Sequence, residues 1–363
     1  MSQTRTGLVI FVVFVTANLA FLIFVTSGNY VRLSKGGKAK RGGHYFANIN
    51  YLSGKSVNID AIGHDTANEN HCDGDVFLFT MVTSSNVNYQ QRRAIRETWA
   101  SEKSVDGKTV ATVFLVARRP DSELMKTIEA ESKAYRDIIV FDFHESYLNL
   151  TLKTLLGFKW ISEHCRNVRY ILKTDDDVFV NYQALIRDLV RRPRENLALG
   201  QILNNIMVPR DHKNKWYTSV KDYPNHSYPP YLVGTGYILS RDLLDKIGKL
   251  ALSLQFLNWE DVFVGICLHH LGVKLTNDKR FDHSHVFDFY SDKDKCLLNY
   301  TFTSHNVFFR RQLELWRLLF RRRQYPRRNP CEVSLCLKPN STGLDDGCMQ
   351  FKPEEAGGLL DIK

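Results

Sequence analysis

Three adjacent carboxylates near the middle of the chain are the residues best suited to chemistry. Asp175, Asp176 and Asp177 stand between the apolar runs 170–172 and 178–180. Adjacent carboxylates repel one another and cannot be buried unpaired, so a positive charge must lie against them. A divalent cation, which prefers oxygen ligands, is the simplest candidate. At the end of a buried strand, an α/β enzyme would use such a cluster to hold a metal ion and a nucleotide diphosphate. The alternative is a solvated acidic turn.

Continuous apolar runs predict the strands that would position this cluster. Four buried strands are predicted in the first half of the chain, at 75–82, 109–117, 137–143 and 168–173. Helical patterns follow them, at 91–99, 122–135, 150–164 and 182–191. Strands without alternation, separated by helices, predict a mostly parallel sheet with helices on both faces. The Asp triplet would then lie beyond the carboxyl end of its strand, where ligands of such sheets bind.

The second half of the chain has a less regular pattern. Residues 223–237 form an aromatic loop rich in Pro and Gly, which leads into a short predicted strand at 237–239. Residues 258–272 are predicted to form a helix that begins at Asn258, a good N-cap residue, and ends at Gly272.

The amino-terminal segment 7–26 is predicted to span a membrane. It contains no charged side chain, and at about 1.5 Å per residue it would extend roughly 30 Å, the thickness of a bilayer core. A cleaved signal peptide is the alternative, but the apolar run is longer than usual for one and no clean cleavage site closes it. The whole chain, with 44% hydrophobic and 24% charged residues, is otherwise typical of a globular protein.

Five regions are predicted along the chain. They are a cytosolic tail (1–6), a transmembrane signal anchor (7–26), a stem (27–70), a lumenal catalytic domain (71–320) and a basic, cysteine-containing extension (321–363). The lumenal orientation overrides the positive-inside rule, because basic residues follow the anchor at 32–41. It depends instead on cysteines without metal-binding spacing, which fit an oxidising compartment. It also depends on N-glycosylation motifs at Asn149, Asn225, Asn299 and Asn340.

The formal net charge of +10 is concentrated near the carboxyl terminus. Between Arg310 and Arg328 there are eight arginines and one glutamate, a local charge of +7. A local basic tail does not indicate nucleic-acid binding, which would need a basic stripe across the fold. We interpret the tail as a solvated helix end and linker; a contact with acidic lipid headgroups or acidic glycans is the alternative.

Six sequence blocks, taken together and in order, are typical of one enzyme family. They are RRAIRETW (92–99), DFHESYLNLTLKT (142–154), KTDDDVFVN (173–181), KWY (215–217), YPPY with GTGY (228–237) and EDVFVG (260–265). With these blocks the chain resembles the β-1,3-glycosyltransferase family of the Golgi, and most closely its β-1,3-galactosyltransferase branch. The resemblance covers roughly Cys72 to Trp316. It implies an α/β fold of the GT-A nucleotide-sugar transferase type, a Rossmann-like and mostly parallel sheet preceded by one transmembrane helix.

The resemblance also implies an activity. Family members are single-pass type II proteins of the Golgi membrane, with a lumenal catalytic domain. The implied reaction is a metal-dependent, inverting transfer of galactose from UDP-galactose, in β-1,3 linkage, to a terminal sugar of a glycoprotein or glycolipid. The same fold with UDP-N-acetylglucosamine or UDP-N-acetylgalactosamine as donor is an alternative. A non-catalytic glycan-binding relative is a second alternative, and a homo-oligomer is compatible with either.

The family's metal ion is Mn²⁺, which the resemblance places at the Asp triplet. Asp177 would bind the ion directly, while Asp175 and Asp176 would contact the metal shell or the nucleotide ribose. His305 would be a further ligand, because the family has a metal-binding histidine ahead of the helix that ends near Trp316. His283 and His285 are rivals for this role.

Further roles follow from the matching blocks. Asp261 would be the base that deprotonates the acceptor, and Glu260 would orient the acceptor or Asp261. An aspartate at a predicted helix start can equally be a capping residue. Arg93 and Arg96 share a helix face and would contact uracil or phosphate of the donor, with structural ion pairs as the alternative.

Aromatic residues in the second half are candidates for stacking on sugar rings. The predicted acceptor-binding residues are Trp216, Tyr217, Tyr231 and Gly236. Tyr228 belongs to the same group, and all of these aromatic rings could instead fill the core.

The resemblance implies two disulfides, Cys72–Cys165 and Cys267–Cys296. Many members of the galactosyltransferase branch carry a further cysteine where this chain has Leu232. Three more cysteines, Cys331, Cys336 and Cys348, lie beyond the matching region, and an odd number leaves one thiol free or intermolecular.

Overall fold

The computed structural model describes residues 59–66, 70–283, 297–324, 333–336 and 348–351. All of them fall in the second of two units, Tyr45–Lys363, while the first, Met1–His44, lies outside the described residues. No helix among the described residues is long and apolar enough to cross a membrane. The predicted anchor at 7–26, together with the predicted stem as far as residue 58, lies outside these ranges and stays a prediction.

The described chain alternates between strands and helices. The strands are β1 (His64–Thr66), β2 (Val76–Thr83), β3 (Ser104–Val105), β4 (Lys108–Arg118), β5 (Ile138–His144), β6 (Val168–Asp175), β7 (Phe179–Val180), β8 (Ala198–Leu203), β9 (Tyr231–Ser240), β10 (Leu275–Asn277), β11 (Phe281–Asp282), β12 (Thr303–Ser304), β13 (Val333–Cys336) and β14 (Cys348–Phe351). The helices are α1 (Tyr89–Glu97), α2 (Ser122–Tyr135), α3 (Leu150–His164), α4 (Tyr182–Leu189), α5 (Arg241–Ala251), α6 (Glu260–His270) and α7 (Phe309–Gln324).

A nine-stranded sheet, in the part of the chain that is described, forms the centre of the fold. Its order is β1-β5-β4-β2-β6-β9-β8-β10, with β3 paired to β4. The four strands predicted from the first half, β2, β4, β5 and β6, are mutually parallel neighbours. The prediction of a mixed α/β fold with a mostly parallel sheet is therefore confirmed.

Helices cover both faces of this sheet, as predicted. All eight residues of β2 are buried, because their side chains pack alternately against two layers. One layer is formed by α3, α5 and α6, whose apolar residues join a single core cluster. The other is formed by α1, α2, α4 and α7. The α2 helix begins where predicted, and the carboxylate of Asp121 accepts the N–H groups of Glu123 and Leu124, each at 3.0 Å.

Two elements that were predicted in the second half have different bounds in the structure. The predicted short strand at 237–239 is the end of a ten-residue strand, β9, which runs antiparallel to both β6 and β8. The predicted helix that begins at Asn258 begins two residues later, with Trp259 as N-cap and no side-chain cap bond. Asn258 is buried instead of capping the helix.

A small three-stranded sheet has the order β11-β12-β7. Its strand β7 begins two residues after Asp177. In its register Thr303 pairs with Val180 and Ser304 with Phe179. Because β12 and β7 are antiparallel, the residue after Ser304 is carried towards the residues before Phe179. This small sheet therefore brings His305 to Asp177.

Two glycines allow α6 to lie directly against β9. A Cβ atom on Gly265 would come within 2.3 Å of Cβ of Tyr231, a distance that real Cβ atoms do not reach. A Cβ atom on Gly234 would meet the Asp261 and Glu260 carboxylates at 3.3 Å. The start of α6 is thus held against the sheet at backbone contact distance.

Candidate active site

The first two carboxylates of the triplet are held by the end of β2. Thr83 is the register partner of Asp175, and its hydroxyl donates to that carboxylate. Asp176 is buried, and one of its oxygens accepts the Ser84 hydroxyl at 2.7 Å and the Asn88 amide at 2.9 Å. Burial raises the pKa of Asp176 to about 6, although these two donors oppose the shift.

The third carboxylate faces an imidazole. Oδ2 of Asp177 lies 3.5 Å from Nε2 of His305, and ligands of one metal ion are separated by a distance on the order of 3 Å. The Nδ1–H of His305 donates to the carbonyl oxygen of His283 at 3.1 Å, so that Nε2 is turned towards Asp177. Burial lowers the pKa of His305, but the Asp177 carboxylate raises it more, and the net shift is upward.

These two side chains are the candidate metal ligands. Within the described ranges, no group of three or more His, Cys, Asp or Glu residues could by itself hold a metal ion. The rival His283 places its Nδ1 2.7 Å from the side-chain oxygen of Gln201, and the other rival, His285, lies outside these ranges.

A buried lysine connects the triplet to the start of α6. The Lys173 ammonium lies 2.9 Å from Oδ1 of Asp175, 2.6 Å from the carbonyl oxygen of Gly234 and 3.1 Å from Oε2 of Glu260. Only 3% of its side chain is exposed. Burial lowers the pKa of Lys173, but the two carboxylates raise it well above the ordinary value, so the side chain stays charged. One ammonium ion therefore positions acidic groups from two distant segments.

Glu260 is held on both of its oxygens. Oε2 pairs with Lys173 at 3.1 Å, and Oε1 accepts the Tyr237 hydroxyl at 2.5 Å. The side chain is buried, and burial raises its pKa while the lysine opposes the shift. Glu260 is therefore fixed in place at the start of α6, next to Asp261 in sequence, which is compatible with its predicted role of orienting Asp261.

Asp261 is the more exposed of the two carboxylates at the start of α6. It is partly exposed, whereas Glu260 is buried. Its oxygens accept the N–H groups of Val262 at 2.9 Å and Gly234 at 3.3 Å. Burial raises the pKa of Asp261 above the ordinary value, although these donors and the nearby Lys173 lower it. A partly exposed carboxylate with a raised pKa is well suited to accept a proton.

Comparison with known families identifies this arrangement. The galactosyltransferase family model matches residues 90–279, which is more than half of the chain. The chain belongs to the galactosyltransferase family. The matched range contains the Asp triplet, Lys173 and both carboxylates at the start of α6.

Individual relatives of this galactosyltransferase place it in the β-1,3 branch, as the sequence blocks predicted, and it is a hexosyltransferase. Human beta-1,3-galactosyltransferase 1 is 40% identical over 218 residues, which cover 59% of this chain and 67% of the relative. Mouse beta-1,3-galactosyltransferase 2 is 35% identical over 263 residues, covering 70% and 60%. The apo structure of the bifunctional glycosyltransferase WbbM is 10% identical, covering 67% of this chain and 50% of that chain, with a TM-score of 0.37.

The two arginines predicted to contact the donor are engaged elsewhere. Arg93 forms a surface ion pair with Glu97 at 2.7 Å. Arg96 is largely buried between Asp137 and Glu131, at 2.7 Å from each. These are the structural ion pairs that the sequence leaves as the alternative, and a contact of either arginine with the donor stays a prediction.

The aromatic candidates divide into two groups. Trp216 is half exposed, and Tyr217, which is partly exposed, stacks on His212 with ring centroids 4.0 Å apart. Tyr228 and Tyr231 are buried core residues, so acceptor stacking is not supported for Tyr231. The pKa of Tyr231 is raised mainly by burial, and the nearby Asp261 carboxylate raises it further.

The other acceptor candidate, Gly236, has a packing role. It lies on β9 opposite Thr174, and a Cβ atom there would meet the Thr303 side chain at 3.3 Å. Gly236 therefore allows β12 to approach β9, while a contact with the acceptor stays a prediction.

One predicted glycosylation site is wrong. Asn149 is fully buried, and its amide nitrogen donates to the His144 carbonyl oxygen at 2.9 Å, so the nitrogen that would carry a glycan is inside the fold. Asn225 and Asn299 are exposed. Asn340 lies outside the described residues.

The cysteines give one disulfide among the described residues. Cys72 and Cys165 are bonded, with Cα atoms 5.1 Å apart, as the resemblance implied. Cys267 is buried in the core and is bonded to none of the cysteines that the structure describes. Its predicted partner Cys296 lies outside the described residues, so that pairing stays a prediction.

Several residues of the site were not predicted from the sequence. Lys173 is the first residue of the KTDDDVFVN block, but its sequence position alone indicates no role for it. Ser84 and Asn88 lie in the loop that follows the first predicted strand. Arg92 is fully buried and donates to the Ser84 hydroxyl at 3.0 Å and to Glu131. For Ser84 and Asn88, the signal that could have found them is their position just beyond the carboxyl end of β2, which pairs in parallel with β6.

Proposed function

We propose that this galactosyltransferase transfers galactose from UDP-galactose to a terminal sugar of a glycoprotein or glycolipid, in β-1,3 linkage and with inversion. The observation that carries the proposal is the bridge formed by Lys173, which contacts Asp175 on one side and Glu260 on the other. Because this bridge joins the acidic cluster to the start of α6, it supports a nucleotide-sugar site at the cluster with Asp261 as the base. The GT-A type of fold is part of the same proposal.

The proposed reaction needs one proton acceptor. The acceptor hydroxyl attacks the anomeric carbon of galactose, the bond from that carbon to the diphosphate breaks, and Asp261 takes the hydroxyl proton. One base acting on the acceptor gives direct displacement, so an α-linked donor yields a β-linked product. Lys173 and Glu260 hold the start of α6, and thereby Asp261, in position.

The donor atoms of Asp177 and His305 fit a divalent cation such as Mn²⁺. They are a carboxylate oxygen and an imidazole nitrogen that face each other, and such ligands suit a borderline first-row metal ion. When bound, the ion supplies positive charge against the charge that develops on the departing diphosphate. In this proposal Asp175 and Asp176, which the β2 end already holds, contact the ribose or the metal shell.

A donor screen tests the proposal. The full-length enzyme, purified in detergent, would be offered UDP-galactose, UDP-N-acetylglucosamine and UDP-N-acetylgalactosamine, each with Mn²⁺ and with a chelator. We expect UDP-galactose to be the preferred donor for transfer. We expect Asp177→Ala to lower transfer and donor hydrolysis by about 100-fold or more, because one of the two candidate ligands is lost.

The matched control is Asp245→Ala, which removes an exposed carboxylate that pairs with Arg241. This variant should keep the wild-type rate. Full transfer under exhaustive chelation, or by the Asp177→Ala variant, would contradict the metal site. Preferred use of an N-acetylhexosamine donor would replace the donor assignment, and glycan binding without any sugar transfer would favour a non-catalytic relative.

The proposed location is the Golgi membrane, with 7–26 as a type II anchor, the catalytic domain lumenal and homo-oligomerisation compatible. The Cys72–Cys165 disulfide supports an oxidising compartment. In secretory cells we expect Asn225→Gln and Asn299→Gln each to remove one glycan-dependent step in electrophoretic mobility, since both residues are exposed. Glycosidase treatment that leaves the mobility of the full chain unchanged would argue against the lumenal orientation.

A further inference from the structure

Two exposed aromatic rings from distant segments share one lysine. The Lys215 ammonium lies 4.2 Å from the ring centroid of Tyr147 and 5.5 Å from that of Trp216. Tyr147 is 48% exposed and Trp216 is 50% exposed. Tyr147, Lys215 and Trp216 are called the Lys215 cluster below. The cluster therefore presents two half-exposed aromatic rings and one cation together on the surface.

Both rings stand on ordered backbone. Tyr147 begins a short 3-10 turn that leads into α3. The N–H of Trp216 donates to the Asn214 side chain at 2.8 Å. Two residues further on, the Thr218 hydroxyl accepts the indole N–H of Trp259 at 2.7 Å. The cluster is therefore presented by fixed segments of the chain.

The same contact connects the segment that carries the cluster to the helix that carries the proposed base. Trp259 is the N-cap of α6, and Asp261 lies two residues after it. The hydrogen bond from Trp259 to Thr218 ties the segment that carries Lys215 to the start of this helix. This link is the reason to consider the next sugar of an acceptor bound at Asp261 as the ligand of the Lys215 cluster.

The cluster carries positive charge that its neighbours do not neutralise. Among the described residues, no carboxylate forms a salt bridge with Lys215. Residues 209–222 contain Arg210, Lys213, Lys215 and Lys221 against two acids, Asp211 and Asp222, and the second of these is buried and accepts the Ser219 hydroxyl at 2.8 Å. The faces of the two rings attract the ammonium ion, yet they contribute no net charge. The ammonium can therefore still pair with an anion.

These observations together define a ligand class. The C–H face of a pyranose ring is apolar and packs well on an aromatic ring, while an ammonium ion pairs with a carboxylate or a sulfate. We propose that the Lys215 cluster is an acceptor subsite for an anionic sugar, one that bears a carboxylate or a sulfate next to the sugar that accepts galactose. This inference rests on the proposed function and names the acceptor class.

Matched acceptors test the subsite. The full-length enzyme would be given a neutral oligosaccharide, the same oligosaccharide with a uronic acid at the second sugar, and the same with a sulfate there. We expect acceptor kcat/KM about three- to tenfold higher for the anionic acceptors at low salt, which is the range of a partly exposed ion pair. The preference should shrink in about 0.5 M salt, because the pair is screened. The carboxylate and sulfate arms identify which anion is preferred.

Three variants complete the test. Lys215→Met should abolish the preference, Lys215→Arg should retain it, and Lys213→Met should also retain it, because Lys213 is a lysine of the same segment outside the cluster. Equal kcat/KM for all acceptors, a preference that survives Lys215→Met, or a higher KM for UDP-galactose in that variant would each overturn the subsite.

If neutral acceptors are galactosylated without any anionic preference, only this inference fails. If no acceptor is galactosylated, the proposed function fails with it.

Discussion

Asp261→Asn is expected to lower kcat about 100- to 10,000-fold, the usual contribution of a positioned general base. Asparagine has the same shape and can keep the hydrogen bond from the Val262 N–H, so the fold should be unchanged. The KM for the proposed donor, UDP-galactose, should change little, because the proposed role of Asp261 is to deprotonate the acceptor. Initial rates at varied donor and acceptor concentrations, with a thermal unfolding curve as the folding check, measure both expectations.

The pH profile of the wild-type enzyme gives a second view of the same group. Burial is the main reason that the pKa of Asp261 is raised. Because the ionised form is the base, activity is lost as the pH falls through this raised pKa. The acid limb of kcat/KM should therefore lie at a higher pH than an ordinary aspartate would give. If the Asp261→Asn variant keeps the wild-type kcat, Asp261 is not the base.

Lys173→Met is expected to be the most damaging substitution outside the reacting groups. It leaves Asp175 and Glu260 without their shared cation, and Glu260 is buried. Breaking a buried ion pair from one side costs about 3–5 kcal/mol of the free energy of unfolding. The start of α6 also loses its contact with the triplet, so kcat should fall as well. Chemical denaturation and initial rates measure the two effects separately.

Two comparisons sharpen this result. Lys246→Met removes an exposed i,i+4 partner of Asp242 and should cost at most about 1 kcal/mol. Adding Glu260→Gln to Lys173→Met removes one of the uncompensated charges, so the double variant should recover part of the lost stability. If Lys173→Met unfolds at the same denaturant concentration as the wild type, the buried bridge does not contribute as described.

The parallel half of the sheet was predictable because it depends on local pattern. The four first-half strands are continuous apolar runs, and their helices have clear periodicity, so both are visible in single segments. The antiparallel strand β9 was mostly missed, because Tyr231–Gly236 belongs to a stretch rich in Pro, Gly and Tyr that is typical of a loop. Its strand conformation is stabilised by pairing with β6 and β8 on either side.

From the residues alone, the site could be predicted only where its members are close in sequence, whereas the distant His305 came from the family resemblance. The Asp triplet and the Glu260–Asp261 pair are visible as acidic clusters in apolar surroundings. The role of Lys173 depends on a contact between β6 and α6, and burial separates Tyr231 from Trp216 although both are loop-like aromatics in the sequence. Asn149 shows the same limit, since its motif is local but its burial is a property of the whole fold.

The hydrogen bond between Trp259 and Thr218 limits which segments can be exchanged between related enzymes. The segment between β8 and β9 is a natural unit to exchange between relatives, because it carries Trp216 while the catalytic helix follows later in the chain. A transplanted segment would have to bring a hydroxyl that accepts the Trp259 indole N–H. Chimaeras that lack it should lose register at the start of α6, whatever sugar-binding side chains they import.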